Sequence, residues 1–267
     1  MQVTYATEAA PGCANEDVAV CGDGWALVLD GATAPPGVDS GCIHDVRWLV
    51  HRLAAALSQR LIRSGGALPV LLAEAITETC DAHAATCDLA NPDSPSSTVA
   101  VTRTRGSVLD YLVLGDSPVV IRSPGEGLTV ISDDRLAHLP GGRPYSRELV
   151  RTLRNKPDGF WVASTSPDVA YQAVAGSLPS AAGAEVGLFT DGVSRLVEFY
   201  GYDWEGIFWV LETSGPGALI SLVRSLERDR PIGCGKRHDD ATAVFATNAD
   251  AEASAQRPAS WRSLIGM

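Results

Sequence analysis

The chain has 267 residues, 45% of them hydrophobic and 20% charged, and a formal net charge of −11 from 21 Lys plus Arg against 32 Asp plus Glu. That is a globular composition with a substantial core, and its acidic balance argues against a partner held through a row of phosphates, so no nucleic acid is expected. No run approaches the ~20 apolar residues that span a bilayer, so no membrane segment is expected either. Only Lys156 and Lys236 are lysine, which argues against Schiff-base chemistry. The stretch Met1 to Asp17 lacks the basic and apolar regions of a signal peptide. The six cysteines are scattered without Cys-x-x-Cys spacing and read as reduced thiols, so a cytoplasmic location is expected.

In chain order, Val18 to Cys21 and Trp25 to Leu29 are β-prone runs around the hairpin signal Gly22-Asp23-Gly24. From Ile43 to Arg63 apolar residues recur at three and four, predicting an amphipathic helix with Ile43 on its inner face. A second helix is predicted after Gly65-Gly66, with Leu68, Leu71, Leu72, Ala75 and Ile76 on one face. Residues 91–97 read as a loop. Thr98 to Thr104, Val108 to Leu114 and Val119 to Arg122 read as consecutive strands, and Glu148 to Leu153 and Pro167 to Ala175 as short helices. Val186 to Thr190 is a predicted strand, Ala218 to Leu226 a helix, and Ala241 to Ala246 the last strand. Trp48, Phe160, Trp161, Phe208 and Trp209 are expected in the core. This succession predicts an α+β fold of mostly antiparallel sheets in one domain, residues 1–247, with 248–267 a flexible C-terminal tail.

Four Asp-Gly pairs occur, at Asp23, Asp30, Asp158 and Asp191. Asp23 and Asp158 sit among turn-forming neighbours and read as turn markers. Asp30 and Asp191 each close an apolar strand, which aims a carboxylate rigidly while the glycine permits close backbone approach. Asn15-Glu16-Asp17, Gly115-Asp116-Ser117 and His238-Asp239-Asp240 place further acids at strand edges. Five such positions repel one another unless a cation lies between them, and hard divalent ions take carboxylate and carbonyl oxygens.

The order Asn15-Glu16-Asp17, Asp30-Gly31, Ser97-Thr98, Gly115-Asp116-Ser117, Thr190-Asp191-Gly192 and Asp239-Asp240-Ala241-Thr242 resembles that of the type-2C metal-dependent serine/threonine protein phosphatases, in a divergent, actinobacterial-like form. The resemblance covers Gly12 to Thr247. It implies a four-layer αββα sandwich, two antiparallel sheets face to face with a helix pair outside each. It also implies two or three Mn²⁺ or Mg²⁺ ions. Asp30 would bridge two of them, and the Gly31 carbonyl would bind the second. Asp191 and Asp239 would complete the first ion's ligands, Glu16 and Asp17 would lie at the second or hold its waters, and Asp116 would hold a third, weaker ion with Asp191. No protein nucleophile is implied. Catalysis would rest on Asp30, Asp191 and Asp239, with a metal-activated water attacking a phosphorylated protein or a small phosphate ester.

Three departures stand out. Gly12 occupies the position where the family usually has a phosphate-binding arginine, Ala32-Thr33-Ala34-Pro35-Pro36 follows the first Asp-Gly, and Pro118 stands where an arginine usually follows Gly-Asp-Ser. Arg143, Arg147, Arg151 or Arg154 is a candidate substitute for the phosphate grip, and His44 with Asp45 for the missing acid. Two functions therefore remain open: an active metal-dependent phosphohydrolase, or a catalytically weak, metal-bound module that regulates by binding a partner or phospholigand.

Overall fold

The computed structural model describes residues 1–32, 37–232 and 236–248. Of the tail expected over 248–267, Asn248 is tied to the fold, its N–H donating to the Ala184 carbonyl at 2.9 Å, and the rest, like Thr33 to Pro36, lies outside the described residues. The first three strands are β1 (Gln2–Glu8), β2 (Asp17–Gly22) and β3 (Trp25–Ala32), followed by helices α1 (Val46–Arg63) and α2 (Leu68–Asp81). Then come β4 (Ser96–Ser97), β5 (Val99–Arg105), β6 (Val108–Leu114), β7 (Val119–Ser123), β8 (Gly127–Ile131) and α3 (Arg147–Leu153). The chain continues through β9 (Val174–Pro179), β10 (Glu185–Phe189), α4 (Asp191–Glu198), α5 (Trp204–Ser214), α6 (Pro216–Asp229) and β11 (Ala241–Thr247).

The strands form two antiparallel sheets, ordered β1-β11-β10-β7-β8 and β2-β3-β5-β6-β9, with β4 pairing β3 beside the second. Side-chain alternation assembles the layers. In β3, Ala26 and Val28 face the other sheet and pack with Val119, Ile121, Leu188 and Val244. Trp25, Leu27 and Leu29 point the opposite way, onto α1 and α2. Buried on both faces, β3 reads as a continuous apolar run, as such strands do. On the far side α4, α5 and α6 cover the first sheet through Val193, Leu196, Phe208, Leu219 and Val223. This is the four-layer sandwich. None of the described helices is long and apolar enough to cross a membrane.

Several local expectations need correction. Helix α1 begins at Val46, because the Asp45 carboxylate caps it by accepting from Trp48 N at 2.8 Å. Ile43 therefore lies ahead of the helix, 72% exposed. Pro167–Gln172 is a 3₁₀ turn leading into β9 rather than a helix through Ala175. Trp209 is 64% exposed rather than buried. Cys42 and Cys87, far apart in sequence, bring their sulfurs to 3.1 Å, and both remain thiols.

Candidate functional site

The acidic edge of the sandwich is built from strand register. In the β2–β3 hairpin Asp17 pairs directly with Asp30, so two carboxylates share one face at the closest cross-strand spacing, an unfavourable arrangement without a counter-charge. Asp30 is tied into the sheet by its backbone: its N–H donates to Thr98 Oγ1 at 3.2 Å and its carbonyl accepts from Thr98 N at 2.9 Å. Asp17 is buried, and its Oδ2 accepts from Thr190 Oγ1 at 2.9 Å and Thr242 Oγ1 at 2.7 Å. Its Oδ1 is equally buried and has no hydrogen-bond partner among the described residues.

The glycines after the two strand-end aspartates work by close approach. A Cβ on Gly31 would lie 2.7 Å from the Glu16 carbonyl oxygen, which accepts from Gly31 N at 3.2 Å. A Cβ on Gly192 would lie 1.8 Å from the Asp240 carbonyl oxygen. These contacts draw Glu16 toward Asp30, and Asp191 toward the start of β11. Asp240 completes the join, its two oxygens accepting from Ala10 N at 2.7 Å and Glu16 N at 2.6 Å.

The carboxylates feel one another. Desolvation first, then the charge of Asp239 and Asp116, pushes Asp191 up to about 8, while Lys236 and Arg195 oppose the shift. Desolvation raises Asp17 to about 7 against the hydrogen bonds from Thr242 and Thr190. Desolvation followed by the charges of Asp191, Asp17, Asp116 and Asp239 holds Asp30 well above the usual carboxylate range. Asp116, on the β6–β7 turn, is raised by desolvation and lowered by Arg143. Among the described residues Asp239 is the one of these acids in direct ion pairs: Lys236 Nζ lies 2.9 Å from its Oδ1 and Arg195 Nη2 3.4 Å from its Oδ2. Among the described residues no three acidic, histidine or cysteine side chains are drawn close enough to enclose an ion as they stand. The donor chemistry nevertheless suits a hard divalent cation: all-oxygen groups, an unpaired buried Asp17 Oδ1, and Asp30 and Asp191 carboxylates without a hydrogen-bond donor among the described residues.

A cleft of about 480 Å³ opens from these acids. Asp30, Gly31, Asp116, Asp191 and Lys236 line its floor, and Arg147, Arg151 and Arg154 its wall, with apolar Leu136, Val150, Phe160 and Val162. The wall is the segment between β8 and β9, with its own small core of Leu139, Phe160 and Val162. It is fastened to β4 by the reciprocal bonds of Ser97 and Ala163, both 2.8 Å. Of the candidate arginines, Arg143 pairs with Glu198 at 2.5 Å and Arg151 with Asp93 at 3.0 Å. Arg154 Nη1 donates to Ser96 Oγ at 3.2 Å, and no carboxylate among the described residues pairs with it. Desolvation lowers its pKa while Asp93 opposes the shift.

His44 and Asp45 are not part of the cleft. His44 stacks on Trp48 at 4.1 Å and meets His83 edge-on, and Asp45 is the helix cap. Arg195, Arg224, Glu227 and Lys236 stand in no motif that marks them in the sequence as neighbours of the acids. The only linear cue for Arg195 is its place one turn after Asp191.

A family model described as protein phosphatase 2C matches residues 13–224. The chain belongs to the protein phosphatase 2C family. The match ends before Asp239. Solved structures with this fold include the serine/threonine phosphatase PstP/Ppp of Mycobacterium tuberculosis, at 20% identity, covering 93% of this chain and 99% of that one, TM-score 0.63. A second structure, the catalytic domain of PstP in complex with two manganese ions, gives 18% identity, coverage of 93% and 98%, and TM-score 0.60. The phosphatase MsPP of Mycobacterium smegmatis, in complex with cacodylate, gives 16% identity, coverage of 94% and 99%, and TM-score 0.57. No curated protein sequence matches the chain.

Proposed function

We propose that this protein is a Mn²⁺- or Mg²⁺-dependent protein serine/threonine phosphatase whose ions are held by Asp30, the Gly31 carbonyl, Asp191 and Asp239, with Glu16 and Asp17 at the second ion and Asp116 with Asp191 at a third. The observation that carries this reading is the cross-strand pair Asp17 and Asp30, with a buried Asp17 Oδ1 that no donor among the described residues satisfies. A buried carboxylate oxygen left without a donor is costly unless a cation completes it. Bound divalent ions supply an acidified water and neutralise phosphate charge.

The chain's own residues do the rest. Asp30 and Asp191, anchored through Thr98 and through the close approach at Gly192, would fix where the ions lie on the cleft floor, and so where a phosphoryl group could be held. Arg154 grips the non-bridging phosphate oxygens, in place of the cation that Gly12 cannot supply. Its guanidinium is already partly desolvated and spends no bond on a carboxylate among the described residues. The apolar wall accepts the carbon skeleton of the substrate and excludes water.

The test is phosphate release from an aryl phosphate and from phosphoserine and phosphothreonine peptides with Mn²⁺, comparing the parent chain with Asp30→Asn and Asp191→Asn. Metal-dependent release lost at least about 100-fold in both variants supports the reading. Release of small esters alone leaves the chemistry and removes the protein substrate. No metal-dependent release leaves a phospholigand-binding module, the reading favoured by the Lys236 and Arg195 contacts that already occupy Asp239.

A further inference from the structure

Behind the loop that carries Asp239 lies a buried ionic hub that the hydrolytic chemistry does not use. Glu227, on α6, has no exposed surface. Its Oε1 accepts from Arg195 Nη1 at 2.7 Å, and its Oε2 from Arg224 Nη1 at 2.9 Å and His238 Nδ1 at 2.8 Å. An ionised carboxylate offers only lone pairs, so His238 donates from Nδ1. The arginines then reach outward. Arg195 Nη2 lies 3.4 Å from Asp239 Oδ2, Arg224 Nη1 donates to the Asp239 carbonyl at 2.8 Å, and Arg224 Nη2 donates to the carbonyls of Glu8 and Ala9 at 3.0 and 3.2 Å.

We propose that Glu227 is a positioning residue that keeps Asp239 available to a divalent ion. The inference rests on Asp239 being a metal ligand, as argued above. Arg195 stands one helical turn after Asp191 on α4, so it links the two acids that would share the first ion. Its short bond goes to Glu227 and its long one to Asp239. Glu227 thereby absorbs most of the guanidinium charge and leaves Asp239 Oδ2 weakly engaged, while Lys236 holds Oδ1 at 2.9 Å. Without Glu227, Arg195 would close on Asp239 as a full ion pair and compete with the metal. His238 and Arg224 would at the same time release the backbone on which Asp239 rides. Stability alone is a poor reason for this hub, since buried ion networks rarely outperform apolar packing. Partners that orient metal-binding carboxylates typically change metal affinity about 10–100-fold when removed.

The experiment is calorimetric titration of Mn²⁺ into the full chain, with thermal unfolding measured in parallel. Glu227→Gln and His238→Ala should each weaken Mn²⁺ binding about 10-fold or more. His238→Asn, whose amide can donate from nearly the same place, should stay within about threefold of the parent. Asp110→Asn is the structural control. Asp110 is a buried acid held by Arg103 and Arg105 on the other sheet, so its loss should lower the melting temperature and leave Mn²⁺ affinity unchanged. Parent-like binding by Glu227→Gln, or equal weakening by Asp110→Asn, overturns the proposal. If Glu227→Gln does not fold, the His238→Ala and His238→Asn pair decides: equal affinity in the two overturns it. If Asp239→Asn binds Mn²⁺ like the parent chain, the ligand reading itself fails, and the hub loses its purpose with it.

Discussion

Asp191→Asn should stabilise the metal-free protein at alkaline pH while abolishing its stabilisation by Mn²⁺. The Asp191 carboxyl stands at about 8 in the folded chain against 3.8 in an unfolded one. Its folded value is raised, so between those two pH values the unfolded state binds fewer protons than the folded state, and stability falls as pH rises across that window. The slope for one such group is about 1.4 kcal/mol per pH unit, so raising pH from 5.5 to 8 costs up to roughly 3 kcal/mol. Partial screening in the open cleft trims this to about 2 kcal/mol. Asp17, raised to about 7, adds to the same slope over the lower part of the window. For a chain of this size that is a fall of roughly 4–10 °C in melting temperature. The assay is thermal unfolding with excess chelator from pH 5.5 to 8.5, repeated with Mn²⁺. The parent should lose stability with pH only when chelated, and Asp191→Asn should show a shallower slope and little gain from Mn²⁺. A flat or rising profile in the chelated parent would refute the claim that burial, reinforced by the neighbouring acids, raises Asp191 and Asp17.

Arg154→Ala should raise KM for phosphopeptides about 10–100-fold with a smaller change in kcat, the worth of one charge-assisted contact to phosphate. Arg151→Ala should do less, because Asp93 already occupies Arg151. A steady-state comparison of the two checks the assignment. Gly192→Ala places a Cβ 1.8 Å from the Asp240 carbonyl oxygen, so it should destabilise the fold by about 1–3 kcal/mol or more. It should also weaken Mn²⁺ binding, read by chemical denaturation and calorimetry.

Asp30 and Asp191 were legible because each ends an apolar strand and is followed by glycine, a pattern carried by adjacent letters. The helix pair α1 and α2 was legible for the same reason, through a periodicity confined to single segments. Edge strand β1 escaped because its residues are mostly exposed or half-buried and show no clean alternation. Helix α4 escaped because Asp191 both ends a strand-like run and opens the helix, and only the packing of Val193 and Leu196 against the sheet decides between those states. The Glu227 hub escaped for a different reason. Its arginines lie on two helices and its histidine on a later loop, and only the folded chain gives them a common neighbour. Arg154 was one of four equivalent arginines in the sequence. The ion pairs of Arg143 and Arg151 distinguish it from two of them.

The most direct test of the metal site is the anomalous scattering of Mn²⁺ in crystals of the parent chain. One ion is expected within coordination distance of the Asp30 and Asp191 carboxylates and a second between Asp30 and the Glu16–Asp17 edge, with both peaks lost in Asp30→Asn crystals. Manganese absent from that edge, or bound there unchanged in Asp30→Asn, would contradict this assignment.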